Sequence, residues 1–314
     1  MPETNTEILQ TPAVRQGRRP IVKTYSPKLD ETMTFGLEIE FLSPINGHYE
    51  IATRLRELTG LLVSNYSGGA NSWTVKGDGS VHTNRHQANL TGNNEIVSPI
   101  LKGENGIQQV ALITKALREI GCQVNSTCGI HVHHGIKSFF NNENNTSTRL
   151  GKYLARVLAA YARFEGALDW LVPPSRRADN AYYCHSVRLE RSLPNPPHLN
   201  SVISWCGSRY RKLNLEAYFR HHTIEVRHFG GSLNTTKITS WIWLTQRLVA
   251  RALTDDDLIL DNRKSFNDLL EYVGVTADSR DPDYGDYARH IARRFKKNVE
   301  AAGRTLEEAI IFPC

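Results

Sequence analysis

Three segments of the chain alternate apolar residues with residues that are charged or able to bind a metal. They span residues 36–41, 129–133 and 223–228. Successive side chains of a β-strand point to opposite faces, so each segment is predicted to be a strand with one apolar and one polar face. In the first segment Glu38 and Glu40 share the polar face, and the intervening apolar residues face the other way.

A single strand of this kind is typical of any antiparallel sheet that has one face in solvent. The second and third segments, however, add two imidazoles (His131 and His133) and a carboxylate with a guanidinium (Glu225 and Arg227). Carboxylates gathered on one face repel each other unless they are protonated or bridged by cations. A sheet face that only contacts water would not favour imidazole over other polar side chains. The recurrence therefore favours a sheet face that handles cations and phosphates.

The rest of the pattern predicts helices that pack outside this sheet and two further strands. Helical spacing extends over residues 49–58, 106–120, 149–171, 236–253, 264–273 and 284–302, and strand-like spacing over 72–76 and 95–99. We expect an α+β fold with a curved, mainly antiparallel sheet, helices on its apolar outer face and chemistry on the other face.

The same pattern suggests three parts. Residues 1–30 are polar and proline-containing without sustained periodicity, which predicts a flexible N-terminal arm. Residues 31–260 hold the patterned strands and are predicted to form one domain, followed by a helical extension over 261–314; the family resemblance described below implies that this domain is catalytic. Within the domain, the proline-rich stretch 173–200 is either a substrate lid or a plain surface connection.

Composition narrows the function classes. The 314 residues are 40% hydrophobic and 22% charged, an ordinary globular balance, and no apolar run approaches the ~18 residues that span a bilayer. No signal-peptide core is visible, and five irregularly spaced cysteines fit a reducing compartment, so a cytoplasmic protein without a membrane partner is expected. The net charge of +6 is compatible with binding to polyanions. The basic patches lack interleaved aromatic residues, however, so nucleic acid is not the expected partner.

Six motifs in a fixed order carry a family resemblance. They are Gly-Leu-Glu-Ile-Glu (36–40), Asp-Gly-Ser (78–80), Glu-Ile-Val-Ser-Pro (95–99), Gly-Ile-His-Val-His (129–133), Arg-Tyr-x-x-Leu-Asn (209–214), and Thr-Ile-Glu-Val-Arg-His with Gly-Gly-Ser-Leu (223–233). Together they resemble the amidoligase family, carboxylate–amine ligases related to glutamine synthetase and glutamate–cysteine ligase. The resemblance covers about residues 33–250.

The resemblance implies a six-stranded, glutamine synthetase-like trough for ATP, two or three Mg²⁺ (or Mn²⁺) ions and a carboxylate substrate. Arg227 resembles the arginine that stabilises the transferring phosphoryl group, and His133 a residue that supports the metal ligands or binds substrate. The implied metal ligands are Glu38, Glu40, Asp78, Glu95, His131 and Glu225, of which Glu38 and Glu40 are also expected to be catalytic. Nucleotide or substrate contacts are implied for Arg209, Lys212 and Asn214.

The expected activity is an ATP- and Mg²⁺-dependent ligation of a carboxylate to an amine, through an acyl phosphate. The substrates would be small molecules, peptides or protein side chains, selected by residues 83–94 and 173–200. This chemistry needs cation clamps and a guanidinium but no protein nucleophile. Two alternatives stay open: a zinc hydrolase that uses His131, His133 and an acid, and a non-catalytic nucleotide- or metal-binding module. A degenerate module would be expected to lose a carboxylate or Arg227, and none is missing.

Overall fold

The computed structural model describes Leu29 and residues 31–66, 71–140, 146–179, 182–187, 193–254, 265–275 and 286–311. The predicted N-terminal arm therefore lies outside the described residues except for Leu29, which is buried. Parts of the stretch 173–200 also lie outside them. No helix among the described residues is long and apolar enough to span a membrane.

The described strands form one open sheet. Its order is β2-β3-β4-β1-β6-β8-β7, and β5 pairs with the start of β1. All pairings are antiparallel except β2 with β3, which is parallel. The strands are β1 (Thr34–Ser43), β2 (Val63–Ser64), β3 (Trp73–Lys76), β4 (Thr91–Val97), β5 (Leu101–Lys102), β6 (Gly129–Gly135), β7 (Leu213–Asn214) and β8 (Thr223–Gly230).

The predicted α+β class and the mainly antiparallel sheet are thus confirmed, whereas the implied count of six strands is wrong. The described part of the chain has eight strands. Three of them, β2, β5 and β7, have only two residues each, which is too short to show a period-two pattern in the sequence.

The strand register brings the three patterned segments together. Strand β1 lies between β4 and β6, and β6 pairs with β8 on its other side. As a result Glu38 lies directly opposite His131, and His133 lies directly opposite Glu225. Residues that are far apart in sequence therefore project from neighbouring positions on one face of the sheet.

The described part of the chain contains nine α-helices. The predicted helices are confirmed to within a few residues. Helices α4, α5 and α9 were not predicted, because eight, five and six residues give too little periodicity. The helices are α1 (His48–Thr59), α2 (Gly103–Ile120), α3 (Ser147–Asp169), α4 (Leu199–Cys206), α5 (Ala217–His221), α6 (Thr235–Thr254), α7 (Phe266–Tyr272), α8 (Asp286–Ala301) and α9 (Leu306–Ile311).

The apolar face of the sheet and the helices share one hydrophobic core. Leu37 and Ile39 of β1 are fully buried in it, together with residues of α2, α3 and α6. Helices from the predicted C-terminal extension join the same core, where Phe266 of α7 stacks on Phe295 of α8 with ring centroids 4.1 Å apart. This one-sided packing leaves the opposite face of β1, β6 and β8 to polar groups.

Candidate functional site

His131 is the centre of the polar face. Its Nδ1 lies 3.0 Å from Oε2 of Glu38 and 3.7 Å from Oε1 of Glu225, and its Nε2 lies 3.5 Å from Oε1 of Glu40. The imidazole is buried, so these three carboxylates form most of its polar surroundings. Each carboxylate belongs to a patterned strand, and the period of two aims all of them at the same point.

Two groups of side chains around His131 could each hold a metal ion. His131 belongs to both groups: it forms one with Glu38 and Glu225 and the other with Glu40 and Glu95. Within each group the ligand atoms lie within 4.8 Å of one another. A neutral imidazole coordinates a metal through one nitrogen and donates a hydrogen bond from the other. We call these five residues the carboxylate cluster.

Burial and neighbouring charges shift the pKa values of the carboxylate cluster. The pKa of Glu95 is raised to about 7 because burial disfavours its charged form and Glu38 lies nearby, although Lys76 opposes this from 3.0 Å. Burial also disfavours the charged form of Glu38, but the neighbouring His131 and His133 rings outweigh it and hold the pKa of Glu38 well below its usual value. A bound cation would relieve this repulsion.

Hydrogen bonds hold two of the carboxylates in place. Nδ2 of Asn214 donates to Oε2 of Glu225 at 2.6 Å, and the backbone N–H of Gly129 donates to Oε2 of Glu40 at 2.6 Å. Each glutamate keeps its second oxygen directed at His131. The carboxylates are therefore oriented before any ligand binds.

Arg227 brings a guanidinium to the edge of the cluster. Its Nη1 donates to Oε1 of Glu225 at 2.6 Å and lies 3.4 Å from Nδ1 of His131. Burial disfavours the charged form of Arg227, but the charge of Glu225 outweighs it and raises the pKa of the guanidinium. A permanent positive charge thus lies beside the candidate metal ligands.

His133 lies next to the cluster rather than within it. Its Nδ1 is 3.0 Å from the hydroxyl of Thr223, and its Nε2 is 3.5 Å from Oε1 of Glu38. Among the described residues Nε2 of His133 has no hydrogen-bond partner, and it does not belong to either group of candidate ligands. Its role as substrate contact or support stays a prediction.

Two polar cavities open beside the cluster. The central cavity, of about 280 Å³, is lined by Glu38, Lys76, Asp78, Glu95, His131, His133, Arg209, Asn214, Glu216, Ala217, Arg220, His221, Glu225 and Arg227. The side cavity, of about 200 Å³, is lined by Glu40, Asp78, Ser80, Thr127, His131, Arg176, Tyr183, Arg209, Tyr210 and Arg227.

Asp78 and Arg209 line both cavities, but neither belongs to a group of candidate metal ligands. Oδ1 of Asp78 accepts hydrogen bonds from the backbone N–H and the hydroxyl of Ser80, at 2.8 and 2.5 Å. This is the ordinary turn-forming behaviour of aspartate after a strand. Arg209 is exposed at the cavity rim, where it lies over the ring of Tyr210.

Lys212 is not part of this site, in contrast to the sequence-based expectation. Its ammonium is fully buried and donates to Oε1 of Glu165 at 2.9 Å and Oδ1 of Asp169 at 2.6 Å. Nε2 of His228 donates to the same oxygen of Asp169, and Tyr161 bonds Nδ1 of His228. We call these five residues the internal network. We correct the role of Lys212 from substrate contact to structural cation.

Arg176 is a residue of the side cavity that sequence reasoning did not single out. Only 6% of it is exposed, and its Nη2 donates to the backbone carbonyl of Cys128 at 3.0 Å. A Cβ at Gly129 would come within 3.4 Å of both the Arg176 guanidinium and Nε2 of His131, so glycine lets the two groups approach. The only local signal was an arginine shortly after the Pro173-Pro174 pair.

The α+β fold and the carboxylate cluster define a protein that could bind a metal ion through acidic strands. Residues 31–249 match a family model described as "Putative amidoligase enzyme", and the chain belongs to this amidoligase family. The resemblance that the motifs carry is therefore confirmed.

No curated protein matches the chain. Among solved structures, the chain is similar to a bifunctional glutathione synthetase from Pasteurella multocida, at 10% sequence identity and a TM-score of 0.37. The similarity covers 89% of this chain and 51% of that one, so the chain spans about half the length of that structure.

Proposed function

We propose that residues 31–260 form an ATP- and Mg²⁺-dependent ligase that joins a carboxylate to an amine. The γ-phosphoryl group of ATP is transferred to a carboxylate oxygen of the substrate, which yields ADP and an acyl phosphate. The amine lone pair then forms the C–N bond, the C–O bond to phosphate breaks towards oxygen, and the amine's proton ends on the departing phosphate. The observation that carries this proposal is the carboxylate cluster with Arg227 beside it.

The donor set of the cluster fits Mg²⁺. Four of its five members offer carboxylate oxygens, the hard ligands that Mg²⁺ prefers. Glu38 and Glu95 also lie close enough for their charges to repel each other, and a bound cation would relieve this repulsion. When bound, Mg²⁺ supplies charge neutralisation for the oxygens of the triphosphate and the substrate carboxylate. Glu38 and Glu225 would hold one ion, Glu40 and Glu95 a second, and His131 would serve one of them.

Arg227 is the group that we assign to the phosphoryl oxygens. Its planar guanidinium donates several hydrogen bonds in a fixed geometry that matches phosphate. Without ligand it is held by Glu225 at 2.6 Å, which keeps it oriented towards the cluster. The charge that develops on the transferred phosphoryl group can then be met without reorganisation of the site.

The side cavity supplies the remaining features expected of a nucleotide site. Arg176 is buried, and no carboxylate of the described residues lies within salt-bridge distance of it, although a buried charge is costly unless it is paired. Arg209 and Arg227 line the same cavity. Tyr183 and Tyr210 lie at its side with ring centroids 5.3 Å apart and offer faces for a purine base. The arrangement supports placement of the ATP phosphates here.

The zinc-hydrolase alternative is less well supported. Each group of candidate ligands in the described residues has one histidine and two glutamates, whereas that alternative needs both His131 and His133 with an acid. The binding-module alternative lacks support from the site, since the carboxylates and Arg227 are all present and oriented. Both alternatives predict no ATP-dependent product.

The experiment is a search for the condensed product. The purified protein is incubated with ATP, Mg²⁺ and pooled amino acids and amines, and products are identified by mass. The proposal predicts ADP and phosphate in a one-to-one ratio with a new amide. With the carboxylate labelled by ¹⁸O, one label should appear in the released phosphate. AMP and pyrophosphate as the stoichiometric products would overturn the acyl-phosphate route.

A further inference from the structure

A mostly apolar groove of about 700 Å³ lies beside the carboxylate cluster on the same face of the sheet. Gly36 of β1 and Gly135 of β6 line its floor. Val97 at the end of β4, with Pro99 and Ile100 after it, lines one side. Ile100 is 74% exposed and borders the groove, so its side chain is accessible to a ligand there. The size and lining are those of a small-molecule site.

Gly36 leaves room in the part of the groove next to Glu38. Gly36 pairs with His133 across the strands and shares its face with Glu38, two residues on. A Cβ at Gly36 would lie 3.4 Å from Cβ of His133, which is an ordinary contact. Packing at this position therefore tolerates a side chain, and a branched one would project into the groove and narrow it beside Glu38.

One end of the groove reaches the proposed reaction centre. Glu38, His133 and His221 line both the groove and the central cavity. Lys137 is the one lysine or arginine among the residues that line the groove, and it is exposed. Three histidines, His133, His221 and His222, also line it, and Nε2 of His133 lies 3.5 Å from Oε1 of Glu38. Glu38, at the inner end, is the one acidic residue in the lining, and its carboxylate suits a hydrogen-donating group such as an amine.

We propose that this groove binds the amine substrate of the ligase and selects amines that carry a branched aliphatic or aromatic body. The amino group lies at the Glu38 end, and the apolar body lies over Gly36 against Val97 and Ile100. An amino-acid amide or a peptide amino terminus with such a side chain has this form. That the ligand is a substrate rests on the proposed function; the chemical class of the ligand rests on the groove itself.

The test is calorimetric binding to the full chain, with L-leucinamide, L-phenylalaninamide, glycinamide and N-acetyl-L-leucinamide as probes. Burial of a leucine- or phenylalanine-sized side chain should strengthen binding at least 10-fold over glycinamide. Acetylation removes the amine charge and should weaken leucinamide binding by a similar factor. Equal affinity for glycinamide and leucinamide, or no binding of any probe, would overturn the inference.

Two variants and a control locate the binding. Gly36→Val fills the floor and should abolish leucinamide binding, and Ile100→Ala should weaken it several-fold even if the valine variant does not fold. Leu62→Ala removes an aliphatic side chain of similar exposure (67% against 74%) outside the groove lining and should leave binding unchanged. Unchanged leucinamide affinity in Ile100→Ala and folded Gly36→Val would contradict the assignment. Loss of adenosine binding in Gly36→Val would place the nucleotide there instead.

ATP turnover is followed separately, so that the two proposals fail in different ways. If leucinamide binds as expected but no acid or amine stimulates ADP release, the groove assignment stands and the ligase function fails. If ADP release and amide formation occur with amines that lack an apolar body, and leucinamide does not bind, the ligase function stands and the groove assignment fails.

Discussion

The molecule contains two groups of charged side chains, and their difference separates structure from function. In the internal network Lys212 bonds both Glu165 and Asp169, and backbone N–H groups of Val187 and Ala178 satisfy their other oxygens. All four carboxylate oxygens of the network therefore accept a hydrogen bond. The network lines none of the three cavities beside the sheet.

The carboxylate cluster has a larger excess of carboxylates and is open to ligands. It contains four glutamates, and the lysine and arginine side chains within salt-bridge distance of them in the described part of the chain are Lys76 and Arg227, which leaves an excess of two carboxylates. In the internal network the excess is one, with two carboxylates against Lys212. It lines two cavities, so a ligand can reach it. An excess of carboxylates beside an open cavity indicates a ligand, whereas carboxylates whose oxygens are all hydrogen-bonded in the core indicate a structural role.

The largest expected effect is the loss of ATP turnover in Glu40→Gln. The amide removes a metal-ligand charge, but its oxygen can still accept the hydrogen bond from Gly129. We expect turnover to fall by two orders of magnitude or more, with no loss of folding stability because the swap relieves carboxylate repulsion. ADP release and urea unfolding measure the two quantities. Asp286→Asn makes the same kind of change at an exposed carboxylate and is the control, which should keep full ATP turnover. Full ATP turnover in Glu40→Gln would show that Glu40 is not part of the site.

Arg227→Lys should cause the second-largest loss of ATP turnover. Lysine keeps the charge but loses the planar fork, so we expect kcat to fall about 10-fold or more with little change in metal affinity. Arg289→Lys makes the same exchange at a half-exposed position and should be silent. Unchanged kcat in Arg227→Lys would show that the guanidinium does not contact the phosphoryl group.

Lys212→Met should produce the opposite result, a loss of stability rather than chemistry. Removal of the ammonium leaves Glu165 and Asp169 buried without their cation, which costs about 3–5 kcal/mol of unfolding free energy. Urea denaturation measures this, and Lys115→Met, at an exposed position, is the control. A stable Lys212→Met protein with a raised KM for ATP or acid would restore the substrate role that we have rejected.

A smaller effect is expected in the pH dependence of stability. Burial lowers the pKa of His134 to about 3, so the folded protein keeps this ring neutral while the unfolded chain takes up a proton below about pH 6.5. Stability is therefore lost as the pH falls. Between pH 7 and 5 the wild type should lose about 2 kcal/mol more than His134→Asn. Identical losses in urea denaturation at the two pH values would show that His134 is protonated in the fold.

Sequence reasoning located most of the carboxylate cluster because strand alternation is a local property. Glu38, Glu40, His131 and Glu225 follow from a period of two within single segments, and neighbouring strands only had to pair. Lys212 has no such local signal. It lies within the Arg-Tyr-x-x-Leu-Asn motif, and its actual partners are acids of α3 more than 40 residues earlier.

Arg176 and the apolar groove were missed for a related reason. Arg176 reaches the site because the chain after α3 passes over Gly129, a contact that no periodicity encodes. The groove is lined by residues from several elements, and Gly36 on its floor has the sequence context of an ordinary strand glycine. Both features depend on which strands are neighbours, and this appears only in the three-dimensional structure.

The most direct test of the account is a count of bound Mn²⁺ by electron paramagnetic resonance, with ATP present, in the wild type and in Glu40→Gln. The account predicts two ions per wild-type chain beyond those held by free ATP, and the loss of one of them in the variant. A wild-type chain that binds no Mn²⁺, or a variant that binds as many ions as the wild type, would contradict the assignment of the carboxylate cluster as a metal site.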